Sequence, residues 1–227
     1  MASAVASATT FTNKSENMSH AILARAYALN QVDDTRDLYD EWAKTYDQDM
    51  AEMSQDYVGP AIATAHVLKC LGTETIGPDV EMLDAGCGTG LVGVHLAKAG
   101  AKKVDGIDLS AGMLDVARKS GAYRNLDTCD LSKAMEQKDG LYDVVVCVGT
   151  LTQGHVGPNA LVEFVRITKP KGFVVATVLD YIWQSGGYET KVQSLITEGR
   201  VKLVSAEIED YRRGAGVRAR MVVLEIL

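Results

Sequence analysis

The sequence predicts an α/β sandwich on a seven-stranded mixed sheet, closed by a C-terminal antiparallel hairpin and preceded by a helical lid. Three observations carry this reading. From Val80 onward, short apolar runs alternate with helical patterns. The first run ends in a turn with glycine at every second position, Gly86-Cys87-Gly88-Thr89-Gly90. The last two runs, Val201 to Tyr211 and Arg218 to Ile226, have no helix between them. A linker as short as Arg212-Arg213-Gly214-Ala215-Gly216 makes such a pair antiparallel.

The elements follow in order. A helical stretch begins at Ser19, and Asp33 or Asp34 can cap a second helix running through Leu38, Trp42 and Tyr46. Tyr39, Trp42, Ala43 and Tyr46 recur at three- and four-residue spacing and so share one face. A third helix spans Gly59 to Leu71, with Pro60 at a position that tolerates it. Strands are expected at Val80–Ala85, Lys103–Ile107, Asn125–Thr128, Leu141–Val148 and Gly172–Val178. Helices between them cover Leu91–Ala99, Ala111–Ser120 and Asn159–Thr168, and a last helix covers Glu189–Glu198. The run at 141–148 is apolar throughout, as expected of a parallel strand buried on both faces.

At 227 residues the chain fits one domain with a real core. Residues 1–17, rich in Ala, Ser and Thr, read as a disordered tail. Residues 18–227 read as a single domain, with 18–72 as the helical lid and 79–227 as the ligand-binding core. The net charge of −7 disfavours nucleic-acid partners, which need a basic footprint. No apolar run approaches the ~18 residues of a membrane span. Cys70, Cys87, Cys129 and Cys147 form no C-x-x-C pair, which suits reduced thiols in a cytoplasmic protein. The four histidines are scattered, so no metal site is expected.

The glycine turn decides the ligand class. In the dinucleotide fingerprint the third small residue would fall at position 91, which is Leu91; here the third glycine is Gly90. A phosphate-binding Walker loop is excluded too, because no Gly-Lys-Ser/Thr follows. A tighter turn suits a ligand without a pyrophosphate.

Leu83-Asp84-Ala85-Gly86-Cys87-Gly88-Thr89-Gly90 resembles the first motif of class I S-adenosylmethionine-dependent methyltransferases, which share a Rossmann-like sandwich. The resemblance implies that Asp108, in Gly106-Ile107-Asp108-Leu109-Ser110, binds both ribose hydroxyls of S-adenosylmethionine. A carboxylate accepting from two vicinal hydroxyls makes a charge-assisted pair. Cys129-Asp130-Leu131 matches the family's Asp-Leu, whose side chain takes the adenine amino group, and Met113 would pack on the adenine face. Ala85, Val148 and Gly149 fall at strand ends that would border the cofactor. Asp84 would fix the glycine loop or the methionine amino group, and Cys87 is a small packed residue in the turn.

Two further segments sharpen the resemblance. Tyr39-Asp40-Glu41-Trp42-Ala43-Lys44-Thr45-Tyr46-Asp47 is similar to the opening helix of many small-molecule methyltransferases. Val148-Gly149-Thr150-Leu151-Thr152-Gln153-Gly154-His155-Val156 is similar to the methyltransferase-like group named for the Williams–Beuren syndrome region. That likeness implies that Tyr39, Trp42 and Tyr46 lie over the cofactor, where ring faces attract a sulfonium. The group carries glutamine near the position of His155.

Methyl transfer is an in-line displacement in which alignment carries much of the catalysis. Where the acceptor must lose a proton, His155 is the candidate base, past the strand end where such sites face their substrate; the alternative is a surface loop histidine. Tyr46, Tyr181, Trp183 and Tyr188 could shape the acceptor pocket, and Arg212-Arg213 reads as a solvated hairpin tip. After the fourth strand there is neither the proline nor the stacking aromatic of base-amine methyltransferases. The expected activity is methyl transfer to O, N or S of a small-molecule acceptor, with S-adenosyl-L-homocysteine as product. A protein or peptide methyltransferase and a non-catalytic cofactor-binding protein are the alternatives.

Overall fold

The computed structural model describes residues 22–26, 28–29, 31–52 and 55–227. The tail expected at 1–17 lies outside them. Five strands run parallel: β1 (Glu81–Ala85), β2 (Lys103–Asp108), β3 (Asn125–Thr128), β4 (Tyr142–Leu151) and β5 (Thr168–Leu179). β6 (Val201–Arg212) and β7 (Val217–Ile226) form the expected antiparallel hairpin, and β7 also pairs antiparallel with β5. The sheet order is β3-β2-β1-β4-β5-β7-β6. The chain therefore winds outward from β1 to β3, then returns to place β4 on the other side of β1. A crevice opens at such a reversal, beyond the carboxyl ends of β1 and β4.

The helices are α1 (Val32–Trp42), α2 (Tyr46–Ala51), α3 (Gly59–Leu71), α4 (Leu91–Lys98), α5 (Ala111–Lys119), α6 (Ala160–Ile167) and α7 (Tyr188–Thr197). Val144, Val145, Val146 and Cys147 of β4 are wholly buried, as a central parallel strand requires. β4 and β5 both run beyond the expected ends, and β5 pairs with β7 from Phe173 to Leu179.

The lid departs from expectation in two respects. One helix was expected through Tyr46; the chain instead breaks after Trp42 and turns at 43–45 before α2 starts. Asp49 holds the break, accepting from Trp42 Nε1 at 2.6 Å and from Thr45 Oγ1 at 3.1 Å. Nor does Asp33 or Asp34 cap α1: Gln31 is the N-cap, and both aspartates lie in the first turn, where they complement the helix dipole. The break lets Tyr39 and Tyr46 flank Trp42, with ring centroids 5.8 and 4.7 Å away. Leu23, Trp42 and Met50 form a small core of their own beneath these rings.

The hairpin end is solvated only in part: Arg213 is exposed, as expected, but Arg212 is not. Arg212 is buried and donates to Gln55 Oε1 at 3.0 Å, while Arg213 pairs with Asp56 at 2.7 Å. Residues 55–58 run alongside the end of β6, with Val58 N donating to Tyr211 O and Arg213 N to Asp56 O. This joins the lid segment to the far edge of the sheet.

Candidate functional site

β1 ends at Ala85, and the next two amides, of Gly86 and Cys87, both donate to Ile107 O of β2 at 2.8 and 3.0 Å. That double bond bends the chain out of the sheet. Gly86, Gly88 and Gly90 then take φ of +75°, +53° and +96°, a region that only glycine visits readily. A Cβ on Gly88 would meet nothing within 4 Å, so the turn leaves open space on the crevice side. A Cβ on Gly86 would collide with Thr150, which packs against the turn from β4.

Asp108 closes β2 beside this turn. Its carboxylate accepts from Gly88 N at 2.8 Å and from Ser110 N at 2.9 Å. Burial lifts its carboxyl above the usual carboxylate range, while the N–H groups of Ser110, Gly88 and Leu109 pull the other way. Two carboxylate oxygens offer about four acceptor positions, so these bonds leave capacity for vicinal hydroxyls. Ser110 caps α5 by accepting from Met113 N at 3.0 Å, which brings buried Met113 to the cavity wall. Asp130 accepts from Ser132 N and Oγ and pairs with Lys133 at 3.0 Å. Burial raises its carboxyl, but the bonds from Ser132 and Lys133 outweigh this and hold it below the ordinary value.

One cavity joins these groups. Tyr39, Tyr46, Gly86, Gly88, Asp108, Leu109, Ser110, Met113, Cys129, Asp130, Leu131, Val148, Gly149 and His155 all line it. Trp42, Asp84, Ala85, Cys87 and Gly90, expected beside the cofactor, do not. Trp42 is buried between the tyrosines of the lid, and Asp84 lies behind the turn, where it accepts from Tyr123 Oη at 2.6 Å. Among the lining residues missed in the sequence are Val32, Thr35 and Arg36, which extend the cavity-facing side of α1 at helical spacing from Tyr39. That periodicity was visible; what it faced was not.

Among the described residues, three side chains of the lid bond to the groups around the cavity. Asp40 accepts from Ser110 Oγ and, at 2.8 Å, from Gly112 N. Asp47 accepts from Thr89 Oγ1 of the glycine turn. Tyr39 Oη lies 3.0 Å from His155 Nε2. The His155 Nδ1 atom lies 2.7 Å from Thr152 Oγ1, which can donate or accept, and 2.9 Å from Gln153 O, which can only accept; with the ring proton on Nδ1, Nε2 receives the Tyr39 hydroxyl. Burial lowers the His155 pKa and keeps the ring neutral.

Of the aromatics expected at the acceptor pocket, only Tyr46 lines the cavity. Tyr188 donates to Val156 O at 2.5 Å, supporting the loop that carries His155. Trp183 packs under Arg220, and Tyr181 is exposed.

A family described as "Methyltransferase domain" matches residues 82–172, from β1 into β5. That stretch is a methyltransferase domain, carried on the class I methyltransferase fold. The chain is 36% identical to human methyltransferase-like protein 27 over 69% of its own length and 63% of that protein's. It is 31% identical to demethylmenaquinone methyltransferase of Streptomyces avermitilis over 67% of its length, again spanning 63% of the relative. The chain thus spans under two thirds of either relative. The methyltransferase fold is also that of magnesium protoporphyrin IX methyltransferase from Synechocystis PCC 6803, a structure with bound S-adenosylmethionine. That similarity has a TM-score of 0.56 at 18% identity, over 74% of this chain and 79% of that one.

Proposed function

We propose that this methyltransferase domain transfers a methyl group from S-adenosylmethionine to O, N or S of a small organic acceptor. The observation that carries the reading is one cavity shared by two kinds of group. Asp108 in its glycine turn offers carboxylate acceptors, and His155 offers a neutral imidazole with Nε2 turned toward the lid. S-adenosylmethionine, when bound, supplies a methyl group on a positive sulfur that is a good leaving group. Asp108 would hold the ribose hydroxyls, Asp130 the adenine amino group and Met113 the adenine face. Tyr39 and Tyr46 would cover the cavity and exclude water. His155 Nε2 would accept the acceptor's proton once Tyr39 yields that position, while Gln153 O keeps the opposite nitrogen protonated.

The fastened lid supports a small acceptor. α1 crosses the cavity and touches both α5 and the loop after β4, which leaves little face for a folded macromolecule. The demethylmenaquinone relative, named for a small-molecule substrate, points the same way.

The test is to incubate the protein with methyl-labelled S-adenosylmethionine and metabolite extract, with His155→Asn in parallel. Label in a low-molecular-mass product, lost or strongly reduced in the variant, is expected. Label confined to protein, or absent from every fraction, would overturn the proposal.

A further inference from the structure

Behind the glycine turn, on the side away from the cavity, one aromatic ring fills a slot made by three glycines. A Cβ on Gly90 of the turn or on Gly106 of β2 would press on the Tyr123 ring, and one on Gly93 of α4 would collide with its phenol end. The slot is specific to a ring with a hydroxyl at its tip. Tyr123 Oη donates to Asp84 Oδ2 at 2.6 Å and accepts from Gly93 N at 3.1 Å.

Both partners need that hydroxyl. Gly90 is the N-cap of α4 and has no side chain to bond the first amides of the helix. Gly93 is the third helical residue, one of the positions whose N–H an N-cap side chain would ordinarily satisfy. Tyr123 supplies the missing acceptor from a distant segment. Asp84 is wholly buried, and its other oxygen, Oδ1, has no hydrogen-bond partner among the described residues. The phenol is the side-chain donor that holds this carboxylate.

We propose that Tyr123 is a positioning residue for the cofactor site: by bonding Asp84 and Gly93 together it fixes the glycine turn between them. The turn runs from Gly86 to Gly90, so its entry from β1 and its exit into α4 are tied to one atom. Gly88 N, which bonds Asp108, lies midway along that span. The inference rests on the proposed cofactor reading, and Tyr123 itself touches no ligand.

The environment of Asp84 adds a pH signature. Asp108 on β2, Cys87 in the turn, Cys147 on β4 and Tyr123 are the titratable groups that act on it, and none is a cation. Burial, followed by the neighbouring Asp108 charge, pushes the carboxyl up to about 7 against the Tyr123 bond and the weaker pull of the Gly93 N–H. Removing that donor raises it further.

The experiment is Tyr123→Phe, which keeps the ring in its slot and deletes the hydroxyl. Calorimetric titration with S-adenosylmethionine from pH 6 to 9 should show affinity weakened by about tenfold, the scale of one hydrogen bond to a charged group. The pH at which binding tightens should move upward. In the ligand-free protein the Gly93 amide should exchange faster. A variant that melts lower but binds with unchanged affinity and pH dependence would mark Tyr123 as packing alone and overturn the proposal. If the unaltered protein fails to bind, the cofactor reading falls, and unchanged Gly93 exchange would overturn the Tyr123 link independently.

Discussion

The Tyr39 hydroxyl and His155 Nε2 lie 3.0 Å apart, joining the lid helix to the loop after β4. The bond closes the cavity over its candidate base, so opening the lid and freeing the imidazole are one event. Tyr39→Phe keeps the ring stacked on Trp42 and removes the bond. Residues 32–42 should then exchange amide hydrogen faster, with opening easier by about 1 kcal/mol. Equal exchange in the two proteins would show that Asp40 and Asp47 hold the lid alone.

His155 also sets an expected rate profile. Burial lowers its pKa from 6.5, so the neutral ring persists at pH values where an exposed histidine is half protonated. Turnover should hold as pH falls through 6.5 and decline only below it. The same shift has a stability sign: below pH 6.5 the unfolded chain binds more protons at this site, so its contribution to stability is lost as pH falls. An acid limb at or above 6.5 would assign the rate-limiting proton to another group.

Asp84 acts with the opposite sign. Its carboxyl is raised from 3.8 to about 7 in the fold. Between those values the native state binds the additional proton, so this site's contribution to stability is full below pH 3.8 and declines as pH rises toward 7. Asp84→Asn removes the titration. The stability difference between variant and wild type, from urea unfolding, should therefore shift in the variant's favour as pH rises across that window. A difference that stays flat would mean that Asp84 does not titrate there.

Asp108 is the proposed link between the turn and the ligand. Asp108→Ala should weaken S-adenosylmethionine binding by about 1.5–3 kcal/mol, the scale of bonds to a charged acceptor. Part of that loss comes from freeing Gly88 N and Ser110 N, both held by this carboxylate. Asp108→Asn, which keeps one acceptor oxygen, should lose less. Equilibrium dialysis showing equal affinity in all three proteins would remove Asp108 from the ribose site.

Much of the fold was legible because it is written locally. Alternation of apolar runs and helical spacing marked every strand of the sheet, and Asn125–Thr128 has the expected bounds. The short Gly-containing linker marked the hairpin. The tight glycine spacing and the acid closing β2 pointed to the ligand. Arg212 illustrates the opposite case: two adjacent arginines near glycines look solvated, yet Arg212 is buried against Gln55, a partner 157 positions away.

The sequence by itself determined the order of elements, the glycine turn and the place of Asp108 at the end of β2, because periodicity and glycine's tolerance of positive φ act within a few residues. Only the tertiary structure decided which side of the turn each residue serves. Gly88 faces the cavity, whereas Gly90 makes room for Tyr123. Asp108 borders the cavity, whereas Asp84 is buried behind it. The lid bonds from Asp40, Asp47 and Tyr39 were likewise settled only by packing, since each spans tens of residues and depends on where two separate elements meet.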